Sequence, residues 1–160
     1  MARYNAQLIS GSALAANTAF AWLGYSTTIG FRLRRVTLGV VAGTGAPTSQ
    51  QVVVGFNPTN AGAISAPVNA MTPNKLQAQS AAASNNLIAS WTTPPTLGAQ
   101  TTDAYTATFN TQSGVDLPWE LLEEWWNVGA PANNVGIAFT NRVNALPSAH
   151  SYTISCEWEE

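Results

Sequence analysis

The segment that most limits what this chain can become is SYTISCEWE, Ser151 to Glu159. Tyr152, Ile154, Cys156 and Trp158 fall on one parity, and Ser151, Thr153, Ser155, Glu157 and Glu159 on the other. A strand turns successive side chains to opposite faces, so this pattern builds one apolar face and one polar face. A helix would scatter the same four apolar groups around its circumference. The segment therefore predicts a half-buried strand, with Tyr152, Ile154, Cys156 and Trp158 pointing inward. A strand of that kind needs a sheet beside it and a second layer against its apolar face.

Other segments supply both. FRLRRVTLGVV, from Phe31, alternates Phe31 and Leu33 with Arg32 and Arg34, then resumes on the other parity at Val36, Leu38 and Val40. Such a flip predicts a bulge or bend near Arg34 and Arg35. QQVVVGF (Gln50 to Phe56) is a valine-rich strand of the buried kind, and Asn57-Pro58-Thr59-Asn60 reads as a turn. LIASWT from Leu87, YTATFN from Tyr105 and VGIAFT from Val135 are further short strands, the last two alternating. AFAWLGYSTT from Ala19 places Phe20 and Trp22 on one face of a strand. Met1 to Asn17 (residues 1–17) reads as an arm or a first edge strand. Residues 61–86 are rich in Ala, Ser, Asn and Pro and read as a long loop or insertion, with partner contact as its expected role. At 160 residues the chain is expected to be one domain spanning 1–160. Many short strands separated by Pro, Gly and Asn turns predict an all-β chain, a single β-sandwich of jelly-roll type with long loops.

DLPWELLEEWWNVG, Asp116 to Gly129, stands apart from this pattern. It holds three of the six tryptophans, Trp119, Trp125 and Trp126, and four of the eight acidic residues, Asp116, Glu120, Glu123 and Glu124. One reading is a helix capped by Asp116, with Pro118 in its first turn and Gly129 past its end. The other is an irregular corner followed by a short strand from Glu123 to Val128.

Charge narrows the functional classes. Only 9% of residues are charged, against about 25% in an average soluble domain. A surface with so few charges guards poorly against association, which favours burial of much of it in an assembly. The net charge is −2, and the one basic cluster is Arg32, Arg34 and Arg35. No nucleic-acid partner is expected from that balance. An arginine cluster of this kind is more often a paired or solvated strand face than a binding site for an acidic partner. No stretch approaches the ~20 apolar residues of a membrane-spanning helix. Polar breaks at Asn5, Gln7 and Ser10 to Ser12 argue against an export leader.

Reactive chemistry is sparse. His150 is the one histidine and Cys156 the one cysteine, which excludes the usual zinc sets and an intrachain disulfide. No Walker or dinucleotide fingerprint occurs. Neighbouring glutamates in one segment make a poor glycosidase cleft, and no loop matches a calcium motif. No cofactor, metal or catalytic residue is expected. Trp91, Trp119, Trp125 and Trp126 offer an aromatic platform for sugar, but large aromatics are more often core or interface.

The order of features resembles a group of small phage virion proteins of β-sandwich or jelly-roll fold. The resemblance runs over roughly Phe31 to Glu160. It is carried by FRLRRVTLGVV, Pro94-Pro95-Thr96, the FN…G segment of Phe109 to Gly114, the Pro-Trp-Glu corner with Glu123-Glu124, the loop before VGIAF, and Glu159-Glu160. In such proteins the paired glutamates open a strand, which favours the strand reading here. Trp125-Trp126 in that strand and the Ala/Asn-rich insertion depart from the pattern. The resemblance implies a structural, non-enzymatic accessory capsid protein, of decoration, cement or head-fibre type, assembled into the virion in the host cytoplasm. It also implies a major capsid protein or other virion protein as partner, and a homo-oligomer, a trimer by analogy with proteins on threefold positions. A tail or fibre module binding receptor or carbohydrate is the alternative. Trp119, Trp125, Trp126, Arg32, Arg34 and Arg35 are the candidate interface residues.

Overall fold

The computed structural model describes residues 1–24, 29–61, 70–97, 99–119, 125–127 and 134–160. Among these residues the chain is all β, with one short 3-10 turn at Gln100–Thr102. The strands are β1 (Arg3–Ser12), β2 (Thr18–Gly24), β3 (Phe31–Ala42), β4 (Gln51–Ala61), β5 (Ala70–Met71), β6 (Asn74–Lys75), β7 (Asn86–Ile88), β8 (Tyr105–Asn110), β9 (Val115–Pro118), β10 (Trp125–Asn127), β11 (Asn134–Asn141) and β12 (His150–Glu159). One sheet runs β10-β3-β12-β1-β6, with β9 also paired to β3, and the other runs β5-β7-β2-β11-β4-β8.

The wiring is that of a long antiparallel hairpin rolled up. β1 pairs with β12, β2 with β11, β3 with β9 and β10, and β4 with β8, each pair antiparallel. Rolling this ladder adds the pairs β3–β12 and β4–β11 and creates the two sheets. The result is a jelly roll, a β-sandwich that buries the inner faces of both sheets.

The core follows the sequence pattern. From β12 come Tyr152, Ile154, Cys156 and Trp158, all buried, facing Phe20, Leu23, Phe56, Phe109, Ile137 and Phe139 from the other sheet. Phe20 stacks on Tyr152 with ring centroids 4.4 Å apart. Burial pushes the Cys156 thiol and the Tyr152 phenol far up from their ordinary pKa values, so neither ionises near neutrality. The parity flip in β3 is a bulge: β12 pairs Glu157 with Arg35 but Trp158 with Leu33, skipping Arg34.

Three expectations need correction, and one open choice is resolved. Asn57-Pro58-Thr59-Asn60 is strand, not turn, because β4 continues to Ala61 along β11. Pro58 costs no ladder bond there. Arg142 N–H bonds Val53 C=O, so odd-numbered residues of β4 face β11 in the hydrogen-bonding plane. Pro58 points the other way, past the end of β8, which begins opposite Phe56. Of the two readings of residues 1–17, arm or first edge strand, the strand is the one seen: β1 pairs with β12 from Arg3 to Ser12, and β6 covers its other side only at Tyr4 and Asn5. The stretch 61–86 is not one long loop: β5 adds to β7 at one sheet edge and β6 to β1 at the other. Phe20 and Trp22 lie on opposite faces of β2, because a register shift against β11 falls between Ala21, opposite Phe139, and Ala19, opposite Thr140, leaving Phe20 as the extra residue. Phe20 joins the main core and Trp22 a second cluster.

Candidate functional site

The two outer faces of the sandwich are treated differently. A strap formed by residues 89–97 and 99–103 lies over the outer face of the β2-β11-β4 sheet. Trp91 and Leu97 pack on Ala19, Trp22, Ile88 and Ala138. Trp22 is fully buried and donates its indole N–H to Thr59 Oγ1 at 2.9 Å; that hydroxyl donates in turn to the Gly136 carbonyl at 3.2 Å. Gly136 gives the indole its room, for a Cβ there would overlap the Trp22 ring and the Leu23 carbonyl.

At its far end the strap is locked by a buried ion pair. Arg142 and Asp103 have side chains 2% and 0% exposed. Arg142 Nε donates to Asp103 Oδ2 at 2.7 Å, and its Nη2 reaches Oδ1. Asn57 Nδ2 donates to the same Asp103 Oδ1 at 2.9 Å and to Thr102 Oγ1 at 3.2 Å. The pair sits on Gly55, where a Cβ would overlap the carboxylate. Sequence reasoning singled out neither residue. The available signal was position: an isolated Asp just before YTATFN and an isolated Arg just after VGIAFTN, in a chain with few charges.

The outer face of the β3-β12-β1 sheet carries hydroxyls and amides instead: Asn5, Gln7, Thr37, Thr153 and Ser155. Asn5 Nδ2 donates to Ser155 Oγ at 3.0 Å. Its charged groups collect around the β3 bulge. Arg35 donates to both oxygens of Asp116, at 2.8 and 2.5 Å, and Thr37 adds its hydroxyl at 2.9 Å. The Arg35 hydrogen bond holds the Asp116 carboxyl below the usual range, although the pair is solvent-exposed. Glu159 is buried between Arg34 and Arg3, each donating at 2.6 Å. Burial raises its carboxyl, but the hydrogen bonds and charges of Arg34 and Arg3 outweigh burial and leave it lowered. Arg3 also reaches Glu157 at 3.7 Å.

The arginines singled out from sequence are thus brought to one region, where Arg34 and Arg35 are engaged within the fold. Arg32 lies on β3 with its backbone opposite Glu159 and Trp126. Trp119 is half-buried, 6.0 Å from both Phe56 and Tyr105 in edge-on contacts, and its N–H bonds the Arg34 carbonyl. It therefore closes one end of the core, while Trp91, in the strap, packs down on the second cluster; the two do not form one platform. Trp125 and Trp126 lie on β10, with backbones opposite Leu33 and Arg32; their side chains lie outside the described residues, as do Glu120, Glu123 and Glu124. Leu117 and Pro118 are in β9, so strand, not helix, flanks that interval on both sides.

The remaining reactive groups are also tied into the fold. His150 is buried; its Nδ1–H donates to the Ser148 carbonyl at 2.9 Å and its Nε2 accepts the Thr48 N–H at 3.0 Å. Glu160 accepts from the N–H groups of Ser84 and Asn85, each at 2.8 Å, and from the Trp158 indole at 3.0 Å. No group of three His, Cys, Asp or Glu side chains suited to a metal occurs among the described residues. Comparison with family models, with curated proteins and with solved structures returned no match.

Proposed function

We propose that this protein is a structural component of a phage virion: an accessory capsid protein that binds the shell and stabilises it, without catalysis of its own. The observation that carries this reading is how its reactive groups are used. Each described carboxylate, the histidine and the cysteine is paired, hydrogen-bonded or sealed in the core. A general acid or base must reach a substrate proton, and groups spent this way are held by the fold instead. The low charge of the chain fits a surface that is covered on assembly. A jelly roll is a frequent capsid architecture and agrees with the resemblance. The partner is the major capsid protein or another virion protein, engaged by a homo-oligomer; the resemblance gives three copies.

Mass analysis of purified virions from the phage encoding the chain tests this. Stoichiometric copies per particle, with shells that lose heat resistance when the gene is deleted, are the expected result. Absence from particles would overturn it.

A further inference from the structure

The sandwich has exposed sheet edges, and most of those described carry protection. β5 and β6 are two residues long, and β6 includes Lys75. β9 contains Asp116 and Pro118, and β10 is three residues long. Short length, charge and proline are the usual devices against edge-to-edge pairing. β8 has none of them. It is six residues, YTATFN, uncharged, free of proline and rich in β-formers.

The register of β8 fixes which of its groups are open. Thr111 N–H bonds the Gln50 carbonyl, and Phe109 and Ala107 lie opposite Val52 and Val54. With the two-residue alternation of an antiparallel ladder, Tyr105, Ala107 and Phe109 bond β4. The N–H and C=O of Thr106 and Thr108 then point away from the sheet. Neither residue has a hydrogen-bond partner beyond that ladder among the described residues. Both are exposed, whereas Ala107 between them is buried.

We propose that β8 is a self-association edge, which pairs antiparallel with β8 of a second copy about a two-fold axis through Ala107. In that register Thr106 lies opposite the Thr108 of the other copy. Each such pair exchanges two N–H···O=C bonds, so the open groups of Thr106 and Thr108 are satisfied on both edges at once. Registers shifted by two residues would also set open groups opposite open groups, but this one alone pairs both threonines of each copy; like any antiparallel pairing of identical strands it is two-fold symmetric, as an isologous contact requires. Paired threonines on the exposed face add a favourable cross-strand contact. The partner is a second copy because the edge carries no charge to repel its like and its two open threonines meet each other in that register. The sheet would then run continuously through both molecules. This contact gives an even copy number where the resemblance gives three, and it does not depend on the virion reading.

Sedimentation equilibrium of the purified chain tests it directly, together with hydrogen exchange. The expected result is a concentration-dependent dimer in which the Thr106 and Thr108 amides become protected as dimer forms. Thr108→Pro removes an open N–H without touching a bond to β4, and should weaken the dimer by about tenfold or more. Thr108→Lys supplies the missing edge charge, keeps the N–H, and should also favour monomer; thermal melts confirm that each variant is folded. A wild-type chain that stays monomeric at every concentration would overturn the proposal. So would a dimer in which those two amides exchange freely, or one that both variants leave intact.

Discussion

The ion pair under the strap makes the sharpest quantitative test of the fold. Asp103→Ala removes one partner of a pair whose side chains are 0% and 2% exposed. The guanidinium of Arg142 then stays charged in a site that water cannot reach. Asn57 loses the shorter of its two amide bonds. Stranding one charge of a buried pair costs about 3–5 kcal/mol. For a chain of this length each kcal/mol lowers the melting temperature by about 2–4 °C, so the loss should be about 6–20 °C. Calorimetric or circular-dichroism melts measure it, and hydrogen exchange in 99–103 should rise as the strap loosens. Adding Arg142→Met removes the stranded charge and fills its volume. The double variant should recover to within about 2 kcal/mol of wild type, because exchanging a whole buried pair for apolar groups is often near neutral. A single variant that loses less than about 1 kcal/mol would refute the reasoning, as would a double variant no more stable than the single.

Three further outcomes are expected. Gly136→Ala forces a Cβ into the Trp22 indole and the Leu23 carbonyl; it should cost about 1–3 kcal/mol or more, read as a lower denaturant midpoint. His150→Ala strands the Thr48 N–H and should cost about 1–3 kcal/mol while leaving association unchanged by sedimentation. Glu159 has a lowered carboxyl pKa in the fold, so its pairing stabilises above the unfolded carboxylate pKa of about 4.3 and is lost as pH falls through the lower folded value. The stability gap between wild type and Glu159→Gln should therefore be flat above about pH 5 and shrink at more acid pH.

Much of the sheet architecture was legible because one face of each strand is buried and the other is not. β12 and β3 alternate cleanly for that reason, down to the bulge at Arg34, and together with β1 they line one side of the core. β2 was misread because the strap buries its second face as well. With both faces apolar, Phe20 and Trp22 carry no parity signal, and the register shift that separates them leaves no mark in the sequence. Pro58 misled for a related reason: its effect depends on whether its N–H position faces a neighbour, and only the pairing with β11 decides that. The arginine cluster was legible as a cluster and as a paired or solvated strand face, but its partners were not, since Asp116 and Glu159 arrive from strands far along the chain. Asp103 and Arg142 meet for the same reason and were invisible separately.

The place of β12 has a consequence for how the molecule is made. It comes after all the other described strands in chain order, yet it lies between β1 and β3, with Glu159 opposite Arg3 and Arg32. Until it emerges, β1 and β3 have no common neighbour, and the apolar faces of Tyr4, Leu8, Phe31 and Leu38 flank a gap where Tyr152, Ile154, Cys156 and Trp158 belong. Synthesis from the other end therefore cannot build this sheet step by step. The closing strand must enter a gap between partners already made, joining residues about 150 positions apart, which is the slow kind of contact. During translation the nascent chain exposes two unsatisfied strand edges at the centre of its future sheet. Chains that stop short of Cys156 should aggregate rather than fold partially, because what they lack is the middle of a layer and not its rim.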